Sequence, residues 1–294
     1  HFEQARTALE AGKHVICEKP LALTAQQADE LIGIAHRKQL LLVANLMQRY
    51  NPLFDLVGKL VQQKLLGELL HGYFENYASD ENLPPEHWFW NSAKSGGIFI
   101  EHGVHFFDLF TGWLGPGEVV AAQSSLRPGT TMEDQVQCTV RYGNTLINFY
   151  HGFTQPGRLD RQELRLIFEQ GDLLLTGWVP TYARIHAIAD EATTRSLAEL
   201  FSGSRLDVLA AYSPKDRHCA GHGRQYDVYQ EFELHWGESQ QKSRLYCELL
   251  RSFMADQLAW IWDSGHVRRT SERNGRESVA MACDATRIAH DTCI

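Results

Sequence analysis

Three side chains that can bind or release a proton recur at a fixed interval in residues 95–114. Glu101, His105 and Asp108 are spaced i, i+4 and i+7, which places them on one stripe of an α-helix. The residues between them are mostly apolar, so the sequence predicts a largely buried helix carrying two carboxylates and an imidazole. Such groups are costly to bury without partners. They serve either catalysis or the capping of neighbouring loops, and the spacing allows both.

The glycines of this stretch indicate a backbone that passes close to another group. Gly96 and Gly97 precede the predicted helix, and Gly103 lies inside it. A glycine within a helix costs roughly 1 kcal/mol relative to alanine, so its presence favours a close contact.

A cation follows a predicted strand near the start of the chain. Residues 14–17 form a short apolar run, which ends at Glu18, Lys19 and Pro20. In open α/β sheets, ligands bind beyond the carboxyl ends of parallel strands. Pro20 restricts Lys19 to extended geometry and so directs its side chain. Lys19 is therefore a candidate for a binding site, with a solvated surface charge as the alternative.

The periodicity of the chain predicts the elements that position these residues. Composition and apolar spacing predict five further helices, at residues 3–11 (ended by Gly12), 25–37 (with Thr24 as N-cap), 52–66, 242–262 and 275–290. Alternating or β-type runs predict strands at residues 14–17, 40–44, 70–77, 135–142, 145–153, 163–168 and 173–178. The last four strands should form an antiparallel meander, with one face covered by the 96–114 helix and the other polar.

Together these stretches resemble the Gfo/Idh/MocA family of nicotinamide-dependent oxidoreductases. The resemblance rests on three motifs, which are AL-x-AGKHV-x-CEKPLALT (residues 8–24), NLMQRYNP (residues 45–52) and SGG-x3-E-x-G-x-H-x2-D (residues 95–108). Members of this family typically carry Asp where this chain has Glu101, so the carboxylate reaches further here.

The resemblance implies an α/β part followed by an α+β part. Residues 1–45 would be the C-terminal remnant of a Rossmann dinucleotide-binding domain. Residues 46–294 would be a substrate-binding and oligomerisation domain with a predominantly antiparallel open sheet covered by helices on one face. Family members commonly pair through this sheet, so the resemblance implies a homo-oligomer.

The resemblance also implies a reaction, which is hydride transfer between NAD or NADP and a secondary hydroxyl of a sugar, inositol or related polyol. His105 suits the base, because the pKa of an ordinary histidine is about 6.5. Lys19 would stabilise the developing alkoxide. The expected catalytic residues are Lys19, His105 and Glu101. The expected cofactor-binding residues are Glu18, Lys19, Pro20 and Arg49. The expected substrate-binding residues are Lys19, Arg49, Trp90, Glu101, His105 and Asp108, with no metal ligands.

The glycine-rich dinucleotide fingerprint G-x-G-x-x-G is not found after any strand-like run, and the chain begins with His1. We therefore expect roughly 60–80 further residues upstream, carrying that turn and the acidic ribose contact. The residue that discriminates NAD from NADP would lie there as well.

Composition excludes several classes of partner. The 294 residues are 44% hydrophobic and 22% charged, with a net charge of −8, which does not favour nucleic acid or an anionic membrane. No run approaches the ~18 apolar residues of a membrane span. The six cysteines lack CxxC spacing and predict reduced thiols in a cytoplasmic enzyme, at positions Cys17, Cys138, Cys219, Cys247, Cys283 and Cys293.

Other functions remain open. A metal hydrolase would use Glu101 and Asp108 with His102 and His105, although the order is not H-E-x-x-H. The cluster at residues 217–223 (RHCAGHG) lacks a second ligand pair at zinc-like spacing. This fold also hosts non-catalytic nucleotide-binding regulators and glycosidases that oxidise and re-reduce a bound sugar. Trp90 and its aromatic neighbours fit either a substrate pocket or simple packing.

Overall fold

The computed structural model describes residues 1–237 and 242–291. Its α-helices are α1 (Phe2–Glu10), α2 (Ala25–Lys38), α3 (Pro52–Gln63), α4 (Ser92–Ser95), α5 (Val104–Leu114), α6 (Glu191–Leu200), α7 (Lys242–Trp262) and α8 (Glu272–Asp291). Its strands are β1 (Val15–Cys17), β2 (Leu42–Ala44), β3 (Leu69–Ser79), β4 (Glu118–Leu126), β5 (Glu133–Tyr142), β6 (Thr145–Gln155), β7 (Arg161–Phe168), β8 (Gly171–Thr176), β9 (Tyr182–Ala189), β10 (Arg205–Ala211), β11 (His218–Gly221), β12 (Arg224–Asp227) and β13 (Gln230–Gly237). None of the described helices is long and apolar enough to cross a membrane.

The first part of the chain is a parallel pair of strands with two helices. β1 pairs with β2, with Val15 opposite Leu42. The predicted N-cap of α2 is confirmed, because the Thr24 hydroxyl accepts a hydrogen bond from the Gln27 amide at 3.1 Å. A small core, including the fully buried Leu9, forms between the helices and this pair of strands.

The second part is built on a nine-stranded sheet in the order β10-β13-β9-β8-β7-β3-β6-β5-β4. Every neighbouring pair is antiparallel except β3 and β6, which run parallel. The predicted meander is wrong at one place. The β5–β6 and β7–β8 hairpins form, but β3 lies between β6 and β7. Local periodicity predicts strands but not which distant strand inserts between them.

Helices cover one face of this sheet. α5 packs on α3 and α8, and α8 reaches β4 and β2. Phe107 and Phe110 of α5 contact Phe149 of β6 in the core. Along β3, residues at even positions from Gly72 to Ala78 are buried under the helices, whereas their neighbours are half-exposed on the opposite face. One covered and one open face agree with the sequence prediction.

The predicted 96–114 helix is not a regular α-helix throughout. Phe99–Gly103 form a π-helical turn, and α5 begins at Val104. Glu101 therefore does not stack above His105 and Asp108 with α-helical spacing, which corrects the single-stripe prediction. One-turn π segments are frequent at functional sites.

Candidate active site

Two left-handed glycines set the course of the chain into the π-turn. Gly96 ends α4 with a φ of +83°, and Gly97 follows with a φ of +93°. Side chains with a Cβ rarely adopt this region, so glycine is needed at both positions. Gly103 has an ordinary φ, but there is little space for a side chain at this position, because an added Cβ would lie 3.1 Å from the Phe107 ring. The sequence prediction of a close approach at Gly103 is confirmed.

Lys19 joins the two parts of the molecule at the π-turn. Its ammonium donates to Glu101 Oε1 at 2.6 Å and to the Glu101 main-chain oxygen, also at 2.6 Å. The two side chains are 18% and 17% exposed, so their ion pair is largely shielded from water. An ammonium has three N–H groups, and these contacts occupy two of them. The third is available to a ligand oxygen.

His105 lies behind this pair in the core. The imidazole is 5% exposed, and its edge packs against the Trp178 ring at a centroid distance of 4.8 Å. Its Nδ1 has no hydrogen-bond partner in the described part of the chain. Burial, together with the charge of Lys19, lowers the pKa of His105 well below 6.5. The imidazole is therefore neutral at pH 7.

Asp108 is directed to Arg49 and not to His105. The Arg49 Nε donates to Asp108 Oδ2 at 2.8 Å, and Arg49 Nη2 donates to the Asp108 main-chain oxygen at 2.9 Å. Burial raises the pKa of Asp108, while the charge and hydrogen bond of Arg49 act in the opposite direction. Gly112 makes room for this contact, since an added Cβ would lie 3.0 Å from Arg49 Cζ. Arg49 and Asp108 thus form a buried ion pair with each other, and the ligand contacts expected of them stay predictions.

Trp90 has a packing role in this structure. Its Nε1 donates to the Leu83 carbonyl at 3.1 Å, and the Arg127 guanidinium lies 5.0 Å from its ring centroid. Its neighbour Trp88 faces an open cleft instead. The expected substrate contact of Trp90 stays a prediction, and Trp88, two residues earlier, is a tryptophan that lines the cleft.

The cleft lies between the two parts of the molecule. It has a volume of about 450 Å³, and its walls include Lys19, Pro20, Gln27, Trp88, Lys94 and Glu101. Glu18 lies beside it and accepts a hydrogen bond from Asn45 Nδ2 at 3.1 Å. Because the cleft opens beyond the carboxyl end of β1, it occupies the position where ligands bind in parallel α/β sheets.

A contact between His102 and the fully buried His151 escaped the sequence analysis. The Nδ1 atoms of His102 and His151 lie 3.1 Å apart, so one imidazole donates to the other. Burial, followed by the neighbouring His151, lowers the pKa of His102, and burial lowers the pKa of His151 to about 3. Phe149 and His151 are two residues apart on β6, so their side chains point to the same buried face. This spacing is the sequence signal that could have identified His151.

The metal alternatives gain no geometric support. Residues 1–237 and 242–291 contain no group of three or more His, Cys, Asp or Glu side chains placed to hold a metal ion. His222, from the 217–223 cluster, instead contacts Glu169 at 2.9 Å. Five cysteines are free thiols, and Cys293 lies outside the described residues.

Two family models match the chain. Residues 1–46 match an oxidoreductase family with an NAD-binding Rossmann fold, and residues 54–174 match the GFO/IDH/MocA C-terminal domain. The two matches together cover more than half of the 294 residues. The chain belongs to the GFO/IDH/MocA family. The predicted fold class, a Rossmann portion followed by a mostly antiparallel sheet covered by helices, is confirmed.

Named relatives in the GFO/IDH/MocA family act on sugars. The chain is 35% identical over 167 residues to a dTDP-3,4-didehydro-2,6-dideoxy-alpha-D-glucose 3-reductase of Saccharopolyspora spinosa, covering 54% of this chain and 48% of that protein. It is 30% identical to a levoglucosan dehydrogenase of Pseudarthrobacter phenanthrenivorans, over 37% of this chain and 29% of the relative. The chain spans about a third to a half of the length of the first curated relatives.

Solved structures share the fold over nearly the whole chain. A levoglucosan dehydrogenase in complex with NADH and levoglucosan has a TM-score of 0.70 at 17% identity, covering 98% of this chain and 75% of that one. The WlbA dehydrogenase from Bordetella pertussis, in complex with NADH and UDP-GlcNAcA, has a TM-score of 0.65 at 18% identity, covering 99% and 74%. At these identities the likeness establishes the GFO/IDH/MocA fold alone.

Proposed function

We propose that this protein transfers a hydride between NAD or NADP and a secondary hydroxyl of a sugar, inositol or related polyol. The observation that carries the proposal is the contact of Lys19 with Glu101 beside the buried, neutral His105. Family membership supports the oxidoreductase class, and the sugar-acting relatives support the polyol substrate.

The cleft fits a nicotinamide cofactor. It opens at the carboxyl end of β1, and about 450 Å³ accommodates a nicotinamide ring and a sugar. Glu18, Lys19 and Pro20 would contact the cofactor, whereas Arg49 is occupied by Asp108. We also propose that residues 1–45 belong to the nucleotide-binding domain and residues 46–294 to the substrate domain. A bound nicotinamide would supply the hydride acceptor.

The protein's own groups handle the proton and the charge. His105 accepts the hydroxyl proton of the substrate as general base. The remaining N–H of Lys19 donates to the oxygen as negative charge develops on it. Glu101 fixes the position of the ammonium through both its carboxylate and its main-chain oxygen. Free thiols in the described residues fit the proposed cytoplasmic location.

Replacing Glu101 with glutamine tests this arrangement. The substitution keeps the size of the side chain but removes its charge, so the hydrogen bond to Lys19 loses its charge assistance. We expect kcat/KM for polyol oxidation to fall about tenfold, the order of magnitude of one charged hydrogen bond. The measurement is formation of reduced nicotinamide by the protein that carries this chain, with sugars and inositols as donors.

A surface ion pair of the same length supplies the control. Lys64 and Glu68 also approach to 2.6 Å but are exposed, so Glu68→Gln should leave kcat/KM unchanged. An equal loss in both variants would argue against a catalytic role of Glu101. Sugar release without accumulation of reduced cofactor would favour the glycosidase, and nucleotide binding without turnover would favour the regulator.

The open face of the large sheet supports a homo-oligomer. It carries half-buried aromatic and charged side chains, such as Tyr77 and Tyr150, whose ring centroids lie 5.3 Å apart. Tyr77→Arg would place a second cation beside Arg161, which lies 4.2 Å from the Tyr77 ring centroid. We expect this variant to sediment as a smaller species than the native protein. Tyr246→Arg, at an exposed position of α7, is the control, and equal masses for Tyr77→Arg and the native protein would refute pairing through this face.

A further inference from the structure

Two side chains in the wall of the cleft have no polar partner among the described residues. Lys94 is exposed, and its ammonium forms no ion pair or hydrogen bond there. Trp88 is 47% exposed, and its indole N–H donates to no described group. Neither is required by the reaction assigned to Lys19 and His105. Both face the same space as the Lys19–Glu101 pair.

The charged side chains of the cleft wall differ in their pairing. Lys19 is paired with Glu101 at 2.6 Å. Glu3 is paired with Arg6 at 2.7 Å, and Arg6 also lies 3.6 Å from Glu30. Lys94, in the same wall, has no ion-pair partner among the described residues. An unpaired ammonium in a concave site offers a local contact for a negatively charged group.

The backbone at Lys94 is held in place. The Asn91 side chain caps α4 by accepting a hydrogen bond from the Ala93 amide at 3.0 Å. The buried Ser95 hydroxyl donates to the Asn91 carbonyl at 3.2 Å and accepts from the Gly97 amide at 3.1 Å. These bonds tie the residue to the glycine turn that leads to Glu101. The main chain of Lys94 thus has a fixed place relative to the Lys19–Glu101 pair.

Trp88 supplies a flat apolar surface beside that charge. Its ring contacts His87 and Phe89 but leaves nearly half of its area accessible. The apolar face of a sugar ring packs well on an indole, and the free N–H can donate to a ring hydroxyl. An aromatic surface next to a cation matches a ring that carries an anionic substituent.

We propose that the substrate is an anionic polyol, a sugar or cyclitol carrying a carboxylate or phosphate that binds Lys94 while its ring packs on Trp88. This inference rests on the proposed function and names its substrate class. The phosphates of the cofactor are a second possible source of the negative charge, and the experiment separates the two.

The test measures dissociation constants by calorimetry on the protein that carries this chain, loaded with NADH. The probes are D-glucuronate and D-glucose 6-phosphate, with neutral D-glucose as reference. We expect both anions to bind about three- to tenfold more tightly than glucose, the scale of one partly exposed charge contact. Lys94→Gln should remove this preference and leave the dissociation constant of NADH unchanged.

Lys59→Gln is the matched control, because Lys59 is also exposed and unpaired among the described residues but lies on α3, outside the cleft. It should preserve the preference for anions. The proposal is overturned if native protein binds no probe or shows no preference, or if Lys94→Gln retains it. If Lys94→Gln bound NADH more weakly but still preferred the anionic sugars, Lys94 would be a contact of the cofactor phosphates and not of the substrate. Binding requires no turnover, so absent hydride transfer would count against the proposed function alone.

Discussion

Replacing His105 with alanine is expected to lower kcat for polyol oxidation by about 10²–10⁴, the usual contribution of a general base. The imidazole is buried behind the Lys19–Glu101 pair, and its pKa lies well below 6.5. It therefore accepts a proton at neutral pH without first having to lose one. Steady-state rates of the protein that carries this chain, with saturating cofactor, provide the measurement.

The pH dependence gives a second readout of the same residue. Protonated imidazole cannot act as a base, so the rate should be lost only as pH falls through the lowered pKa of His105. The acid limb of kcat/KM should accordingly lie below pH 6.5, and it should disappear in His105→Ala. An acid limb that is identical in both proteins would assign the titrating group elsewhere.

His151→Phe separates catalysis from packing. His151 is also a fully buried histidine, but it contacts His102 and the core aromatics and not the Lys19–Glu101 pair. We expect this variant to change stability and to keep kcat within about tenfold of the native value, since no base is removed. If His105→Ala also remained within that range, His105 would not be the base.

The motifs pointed to the proposed catalytic groups because the order of residues within each motif is informative. Lys19 follows a strand that ends in proline, and Glu101 and His105 follow a glycine pair, so local chemistry predicts both positions. Their meeting across 82 residues was implied only by family resemblance. The π-turn was missed because a pattern of apolar residues cannot register one extra residue in a helical turn.

Partners distant in the chain limit what local patterns can predict. Arg49 and Asp108 are 59 residues apart, and neither position carries a local signal of the other. Trp88 and Trp90 are the same residue type in the same short segment, so the sequence does not distinguish them. The hydrogen bond of Trp90 to Leu83 holds its ring away from the cleft. Exposure to the cleft, which singles out Trp88, and an unpaired charge, which singles out Lys94, become visible only in three dimensions.

Replacing Arg49 with methionine is expected to lower the free energy of unfolding by about 3–5 kcal/mol, the cost of leaving a buried carboxylate without its partner. Asp108 is 3% exposed and loses both contacts of the guanidinium in this variant. Urea denaturation at pH 7 measures the change. The control is Arg276→Met, which removes an exposed pair with Asp29 and should cost about 0–1 kcal/mol.

Measurements at different pH values and a second substitution test whether the group left without a partner is Asp108. Without Arg49, the folded-state pKa of Asp108 should rise further above its unfolded value, because burial and the charge of Glu277 are then opposed only by the hydrogen bond of Asn274. A carboxyl group with a raised folded-state pKa favours the folded state as pH falls. The loss of unfolding free energy in Arg49→Met should therefore become smaller in acid. Adding Asp108→Leu should recover much of the stability at pH 7, because an apolar pair of similar volume can replace a buried ion pair. The loss of unfolding free energy in Arg49→Met could instead be the same in acid and after the second substitution. That result would mean that Arg49 stabilises the fold through its packing against Phe54, 5.4 Å from that ring centroid, and not through Asp108.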